Sequence, residues 1–190
     1  MALGFGVEVV RLSDKQISGV VRDIDGERLI CIKGKVMQAI RSDLGNILGP
    51  NVVKEIFYRI GINAASIAHE QLKDVLTSER ELWSMADRVT RLQGWGRIRR
   101  YEKAFDGQRL VVRVILEDSP FAEGIVSREP VCDIARGGLG KLIALYYGMT
   151  LLKSVEVQCC ARGSPFCELL FELGPRPTTP ILPQVVQLTI

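Results

Sequence analysis

The sequence predicts an α+β domain in which an antiparallel sheet of hairpins packs against long helices. Long stretches carry apolar residues at three- and four-residue steps, the spacing of one helix face. Shorter β-branched segments come in neighbouring pairs joined by tight-turn signals, which predicts hairpins. Because helices and hairpins occur in separate runs, the order favours an α+β fold over a doubly wound parallel sheet.

Composition limits the function classes. The 190 residues are 47% hydrophobic and 25% charged, an ordinary globular balance. The net charge of +3 is too small to require a nucleic-acid or anionic-membrane partner. The longest apolar run, Leu142–Leu152, is far short of the roughly 20 apolar residues of a membrane helix, and the amino terminus does not resemble a signal peptide. We therefore expect a soluble cytoplasmic protein without a membrane span.

The first half of the chain is predicted to be mostly helical. Strands are expected at Val7–Leu12 and Leu29–Ile32 because both segments are rich in β-branched or other apolar residues. A helix is predicted from Lys35 to about Ile47, ended by Gly49-Pro50.

A long helix should begin at Val52, and a further helix should follow it. The stripe of the long helix comprises Val53, Ile56, Phe57, Ile60, Ala64, Ile67, Ala68 and Gln71. The segment Thr77–Glu81 has the pattern of a capping box, in which a hydroxyl and a glutamate three residues later cap a helix start. That helix should continue to about Arg91.

The second half is predicted to form two hairpins separated by a helix. The first hairpin pairs Gly96–Ala104 with Arg109–Leu116 across the Asp106-Gly107 turn, and a short helix at 119–123 is expected after it. A helix beginning near Pro130 should follow, and the last hairpin pairs Leu151–Cys160 with Phe166–Leu173.

We expect residues 1–174 to form one domain, with the informative motifs at 94–173. Four prolines within nine residues predict an extended tail over residues 175–190.

The cysteines indicate metal chemistry. The chain has five of them, Cys31, Cys132, Cys159, Cys160 and Cys167, and an odd count without an export signal argues against a disulfide framework. The last hairpin should bring Cys159 and Cys167 together across the turn at Gly163, with Cys132 supplied by the preceding helix. Zinc prefers four ligands drawn from thiolates, imidazoles and carboxylates, so Glu156 could complete the set.

Strand parity leaves the identity of one thiol open. In a regular strand Glu156 and Cys160 share a face, whereas Cys159 points to the other. Glu156 and Cys159 can bind one ion only if the strand bulges or ends between them. From periodicity alone, Cys159 and Cys160 are equal candidates, and reduced core cysteines without metal are an alternative of similar weight.

Several motifs together resemble those of the 4-vinyl reductase domain family. They are Gly94-Trp95-Gly96, Asp118–Glu123, Glu129–Cys132, the glycine-bearing helix Gly137–Gly148, and Glu156-x-x-Cys159-x-x-x-Gly163-x-x-x-Cys167. The resemblance implies a fold similar to that of the TRAPP vesicle-tethering subunits and a homodimer. It also implies a zinc ion bound by Cys132, Glu156, Cys159 and Cys167, which selects Cys159 over Cys160.

The resemblance further implies a sensory or carrier module for a small apolar or aromatic molecule. Phenol-sensing members carry a tryptophan at the position of Leu116, so we expect an apolar pocket wall there, between the Val53–Gln71 helix and the Gly96–Leu116 hairpin. A non-enzymatic scaffold subunit is the alternative, and a tetrapyrrole reductase ranks last because no nicotinamide, flavin or iron–sulfur motif is present. The one histidine, His69, is expected to be a helix residue without a catalytic partner.

Overall fold

The computed structural model describes residues 21–22, 28–29, 32–74, 76–92 and 94–175. The chain divides into two units, residues 1–33 and residues 34–190. In the first unit β1 (Val21–Arg22) pairs antiparallel with β2 (Arg28–Leu29). The predicted strand Val7–Leu12, Cys31 and most of the tail lie outside the described residues, so the domain and tail boundaries stay predictions.

Three helices open the second unit, where helices were predicted. They are α1 (Gly34–Leu48), α2 (Pro50–Leu72) and α3 (Glu79–Leu92). Gly49 separates α1 from α2 with a φ of 85°, a left-handed conformation that favours glycine. The buried residues of α2 recur every four positions, at Val53, Phe57, Gly61 and Ala65, as an amphipathic helix requires.

The capping box at the start of α3 is present. The Ser78 backbone N–H donates to Glu81 Oε2 at 2.8 Å, and the Glu81 N–H donates to Ser78 Oγ at 3.3 Å. These reciprocal bonds satisfy amides that the first helical turn leaves unpaired. The helix therefore starts where the sequence places its cap.

A four-stranded antiparallel sheet follows, which confirms the α+β class. Its strands are β3 (Arg97–Asp106), β4 (Arg109–Glu117), β5 (Thr150–Gln158) and β6 (Cys167–Gly174), in the spatial order β3-β4-β6-β5. Both predicted hairpins are therefore present, and β4 and β6 form the centre of the sheet. Alternate residues of β4 (Leu110, Val112, Val114 and Leu116) are fully buried on one face.

Helix α4 (Asp133–Tyr146) covers that face and is itself covered by α2. Gly140 lets α4 approach the sheet, since a Cβ there would lie 3.0 Å from the Phe171 ring. Two more glycines bring the helices together: a Cβ at Gly61 would lie 2.1 Å from the Ile134 carbonyl oxygen, and one at Gly137 would lie 2.1 Å from that of Tyr58. The sheet, α4 and α2 therefore form three closely stacked layers.

Two predicted helix positions are wrong. Residues 119–123 form a hydrogen-bonded turn instead of a helix, because the Ser119 carbonyl accepts both the Ala122 and Glu123 amides and the chain then turns at Gly124 with a φ of 66°. Helix α4 begins at Asp133, three residues after Pro130, because Cys132 has a non-helical backbone with φ −87° and ψ 39° and is the N-cap; its amide bonds to Glu156 on β5. No helix in the described part of the chain has both the length and the apolar character needed to cross a membrane.

Candidate metal centre and apolar cavity

Four potential metal ligands converge at one end of α4. The Sγ atoms of Cys132, Cys159 and Cys167 and a carboxylate oxygen of Glu156 all lie within 4.8 Å of one another. Cys132 is the residue before α4, Glu156 lies on β5, and Cys167 begins β6. The three thiols are buried, and Glu156 is partly buried.

An irregularity in β5 resolves the parity of the hairpin. The register between β5 and β6 shifts between Glu156 and Gln158, and β5 ends at Gln158. Cys159 then precedes a single 3-10 turn, Cys160–Arg162, which ends at Gly163 with a φ of 87°. Because of this shift and the end of the strand, the side chains of Glu156 and Cys159 both reach the cluster. Strand parity required such a bulge or strand end if the two residues were to share one ion.

The thiols contact each other and nearby donors. The Sγ atoms of Cys132 and Cys167 are 3.4 Å apart, which is close to the spacing of about 3.8 Å that two tetrahedral zinc thiolates at 2.3 Å from the ion would have. The buried Ser119 hydroxyl lies 3.2 Å from Cys132 Sγ, and the Cys160 backbone N–H donates to Cys167 Sγ at 3.4 Å. Cys160 thus contributes its amide to the cluster.

Glu156 lies in surroundings that oppose its negative charge. Its Oε2 accepts the Cys132 backbone N–H at 2.9 Å, whereas its buried Oε1 has no hydrogen-bond partner among the described residues. Burial, and then contact with Cys159, raise the pKa of Glu156 to about 8. A carboxylate in this position needs a positive charge to offset its desolvation.

The thiols show the same imbalance. Hydrogen bonds from the thiols of Cys132 and Cys167 lower the pKa of Cys159 well below its ordinary value. The pKa of Cys132 is raised far above the usual range, and the largest cause is the hydrogen bond between Cys132 and Cys159. Four ionised groups could coexist here only around a cation, and the Cys₃Glu donor set, with one orphaned carboxylate oxygen, fits a tetrahedral zinc ion.

A buried ion-pair network fixes the start of α4 beside the thiols. Asp133 is buried, and its two oxygens accept from Arg41 Nη2 at 2.5 Å and from Arg136 Nη2 at 3.0 Å. Arg41 also donates to the Val131 carbonyl at 3.3 Å, and Arg136 donates to that of Ser154 at 2.9 Å. These bonds tie α1 and β5 to the residue that follows Cys132.

A separate apolar cavity lies among α2, α3 and α4 and has a volume of about 70 Å³. Its lining residues are Ala64, Ala65, Ala68, Leu72, Leu76, Leu82, Met85, Ala86, Val89, Thr90, Trp95, Ala135, Gly138, Leu139 and Leu142. The only hydroxyl in that lining, that of Thr90, donates to the Ala86 carbonyl and keeps only its acceptor capacity, and the lining also includes the Trp95 indole. Small side chains on α2 make the space, and the cavity therefore favours apolar contents.

The comparisons with known proteins establish the fold. No protein-family model matches the chain, and no curated protein matches it significantly. Among solved structures, the phenol-responsive sensory domain of the transcription activator PoxR, crystallised with phenol, matches with a TM-score of 0.69 and 20% identity over 81% of this chain and 84% of that one.

Two other solved structures match less closely. One is a trafficking protein particle complex subunit 3 from Naegleria fowleri covalently bound to palmitic acid, with a TM-score of 0.48 and 10% identity over 76% of this chain and 98% of that chain. The other is a doubly substituted Tt H-NOX protein, with a TM-score of 0.44 and 15% identity over 80% and 76% of the two chains. The match to the PoxR domain shows a shared fold, and nothing is inferred from the two matches with TM-scores below 0.5. Membership of the 4-vinyl reductase family stays a prediction.

The structure brings together the four residues proposed as ligands and separates Leu116 from the cavity. Leu116 is fully buried in the core between β4 and α4 and is not among the residues that line the cavity. The cavity is thus bounded by α3 and α4 instead of the β3–β4 hairpin. Sequence reasoning did not assign Ser119 to the site, although it lies in the Asp118–Glu123 motif, and it did not identify the α3 wall, which has no motif of its own.

Proposed function

We propose that this chain is a sensory or carrier module that binds a small apolar or aromatic molecule and is stabilised by a zinc ion. The observation that carries the proposal is the apolar cavity among α2, α3 and α4. It lies in a fold shared with a phenol-responsive sensory domain, although that likeness concerns the fold alone. The ligand would be held by burial of apolar surface, which contributes about 0.8 kcal/mol per CH₂ group.

The size of the cavity limits the ligand. An engineered cavity that binds benzene has a volume of about 150 Å³, roughly twice that found here. A single ring would therefore require some wall side chains to move, and Met85, which is long and unbranched, is suited to this. Because nearly all of the lining is apolar, with Thr90 and Trp95 as the residues that carry O–H or N–H groups, we expect apolar burial to dominate and phenols to bind about as tightly as hydrocarbons of the same shape.

We assign the zinc ion to Cys132, Glu156, Cys159 and Cys167, with a structural role. Four protein ligands fill a tetrahedral coordination shell and leave no open position for substrate or water. These residues join the start of α4 to the β5–β6 hairpin, so zinc would bind two parts of the domain together. A non-enzymatic module is consistent with this assignment.

We further propose a homodimer, and a scaffold subunit is the second candidate function. Both are supported by apolar side chains exposed on α1 and α2, which are Val36, Ile40, Ile47, Leu48, Val52, Ile60 and Ile67. Light scattering at micromolar concentration should show a dimer, and a monomer alone would contradict this part of the proposal. The cytoplasmic location expected from the sequence stays a prediction.

The ligand proposal is tested by calorimetric titration with toluene and phenol, and by native mass spectrometry of freshly purified protein. We expect one zinc per chain and binding of both probes with similar affinity. Ala68→Phe, which fills the cavity, should abolish toluene binding, whereas Ala104→Phe on the exposed strand β3 should not. A chain that binds neither probe, or binds toluene equally well with the cavity filled, would favour the scaffold function.

A further inference from the structure

One loop contacts both the metal centre and the apolar cavity. This connecting loop, residues 118–124, follows β4. The Ser119 hydroxyl lies 3.2 Å from Cys132 Sγ, and two residues later the Phe121 ring packs edge-on against Trp95 with centroids 6.4 Å apart. Trp95 lines the cavity. A path of direct contacts thus runs from a thiol ligand to the cavity wall.

The connecting loop is a hydrogen-bonded turn that is held at several points. Left-handed residues bound it, Asp118 with a φ of 56° and Gly124 with a φ of 66°. Between them, the Ser119 carbonyl accepts two amides, and Ser119 and Phe121 are both buried. The Gln38 side chain donates to the carbonyls of Pro120 and Glu123 at 2.8 and 3.0 Å. These bonds hold Ser119 and Phe121 in one turn, through which a displacement of Ser119 would reach Phe121.

Helix α4 provides a second connection. Cys132 is the residue before the first turn of α4, and the first two turns supply Ala135 and Leu139 to the cavity wall. The close contacts at Gly61 and Gly137 prevent α4 from shifting independently of α2, which forms another wall. The two sites therefore share both a loop and a helix.

We propose that the metal centre and the cavity are energetically coupled, so that occupation of either one increases the affinity of the other. The inference rests on the proposed function, since it needs zinc and an apolar ligand to bind. Bound zinc would fix Cys132, and with it the Ser119 hydroxyl, the connecting loop and the Phe121–Trp95 wall. A ligand entering an already ordered cavity loses less conformational entropy, which produces positive cooperativity. Ser119 acts here as a positioning residue.

Linkage makes this coupling measurable from both sides. If zinc increases the affinity for a ligand by some factor, the ligand must increase the affinity for zinc by the same factor. We expect that factor to be at least about fivefold, the lower end of typical couplings. Zinc affinity is measured by competition with a chromophoric chelator, with and without saturating toluene, and toluene affinity is measured by calorimetry on zinc-loaded and zinc-depleted protein.

Ser119→Ala distinguishes this path from general stabilisation by any ligand. The variant keeps all four metal ligands and the cavity lining, so zinc and toluene should both still bind, but the coupling factor should fall below that of the original chain because only the connection through α4 remains. Ser66→Ala is the matched control, because the Ser66 hydroxyl donates only to the Ile62 carbonyl of its own helix. That variant should keep the coupling of the original chain. If zinc-depleted protein unfolds, the chelator competition on these variants still provides the comparison.

The outcomes separate the inference from the proposed function. Zinc and toluene binding with a coupling factor below about twofold, well under the typical range, would overturn the coupling and leave the proposed function intact. Coupling that persists unchanged in Ser119→Ala would overturn the path through the connecting loop. A chain that binds no zinc or no toluene would overturn the proposed function, and the coupling with it.

Discussion

Replacing Gly137 with alanine tests the close packing of α4 on α2, on which both the cavity and the position of Cys132 depend. The new Cβ would lie 2.1 Å from the Tyr58 carbonyl oxygen, about 1 Å closer than real Cβ contacts allow. Because the obstacle is backbone, it cannot rotate away, and the helices must separate. Overpacking of this kind costs about 1–3 kcal/mol, occasionally more.

The glycine next to it is a matched control. A Cβ at Gly138 would have its nearest neighbour at 3.5 Å, an ordinary contact with the Gly61 carbonyl oxygen. Gly138→Ala should therefore gain up to about 1 kcal/mol of helix propensity without a clash. Gly45→Ala on α1 has nothing within 4 Å and should gain a similar amount.

The predicted net effects are opposite in sign. A contact of 2.1 Å with a backbone atom places the clash at the upper end of that range, about 3 kcal/mol, and the gain in helix propensity offsets about 1 kcal/mol of it. We therefore expect Gly137→Ala to lower the free energy of unfolding by about 2 kcal/mol. For a chain of this length that corresponds to a lowering of Tm by about 4–8 °C. Urea unfolding followed by circular dichroism, at equal zinc loading, measures the difference. Gly137→Ala as stable as Gly138→Ala would refute the packing of α4 on α2 described above.

Three further perturbations test other parts of the account. Cys167→Ser should lose bound zinc and destabilise the domain, because zinc binding is coupled to folding. Cys160→Ser should retain one equivalent of zinc, measured by elemental analysis. Equal zinc contents in the two variants would contradict the ligand set. Asp133→Ala leaves Arg41 and Arg136 largely buried without their shared carboxylate and should cost about 3–5 kcal/mol in urea unfolding, while a cost below about 1 kcal/mol would show that this network is not structural. Hydrogen bonds from Thr77 and then Ser78 lower the pKa of Glu81 below its ordinary 4.5. The ionised Glu81 therefore stabilises the folded protein fully above about pH 4.5, and this stabilisation is lost as the pH falls through the lowered pKa. Glu81→Gln should therefore flatten the acid side of the stability profile, and an unchanged profile would rule out this contribution.

Local patterns were sufficient to predict most of the elements. The four-residue steps of α2, the Asp106-Gly107 hairpin and the capping box at Ser78 and Glu81 each arise from contacts within a short segment, so their signals are present in the sequence. The start of α4 was misplaced because Cys132 has a non-helical backbone at a position where its amide contacts Glu156 on a distant strand, a contact that no local pattern shows. Local propensity favours a start near Pro130, and the tertiary contact overrides it.

In the metal centre and the cavity, too, some features follow from local sequence patterns and others depend on tertiary contacts. Strand parity gave the condition that β5 must bulge or end before Cys159, and only the family resemblance favoured Cys159 over Cys160 as a proposed ligand. The register shift between Glu156 and Gln158 depends on pairing with β6. The cavity could not be placed, because it is the space left among three helices whose relative positions depend on contacts at Gly61 and Gly137. The role inferred for Ser119 likewise depends on a contact with Cys132, 13 residues away in sequence.

X-ray absorption at the zinc K edge of freshly purified protein tests the metal centre most directly, because it reports the ligand atoms and their distances together. The account predicts one zinc per chain with three sulfur ligands at about 2.3 Å and one oxygen ligand at about 2.0–2.2 Å. In Glu156→Gln the oxygen contribution should weaken while the three sulfur ligands remain. A protein without zinc, or one whose zinc has fewer than three sulfur ligands, would contradict the assignment of Cys132, Cys159 and Cys167.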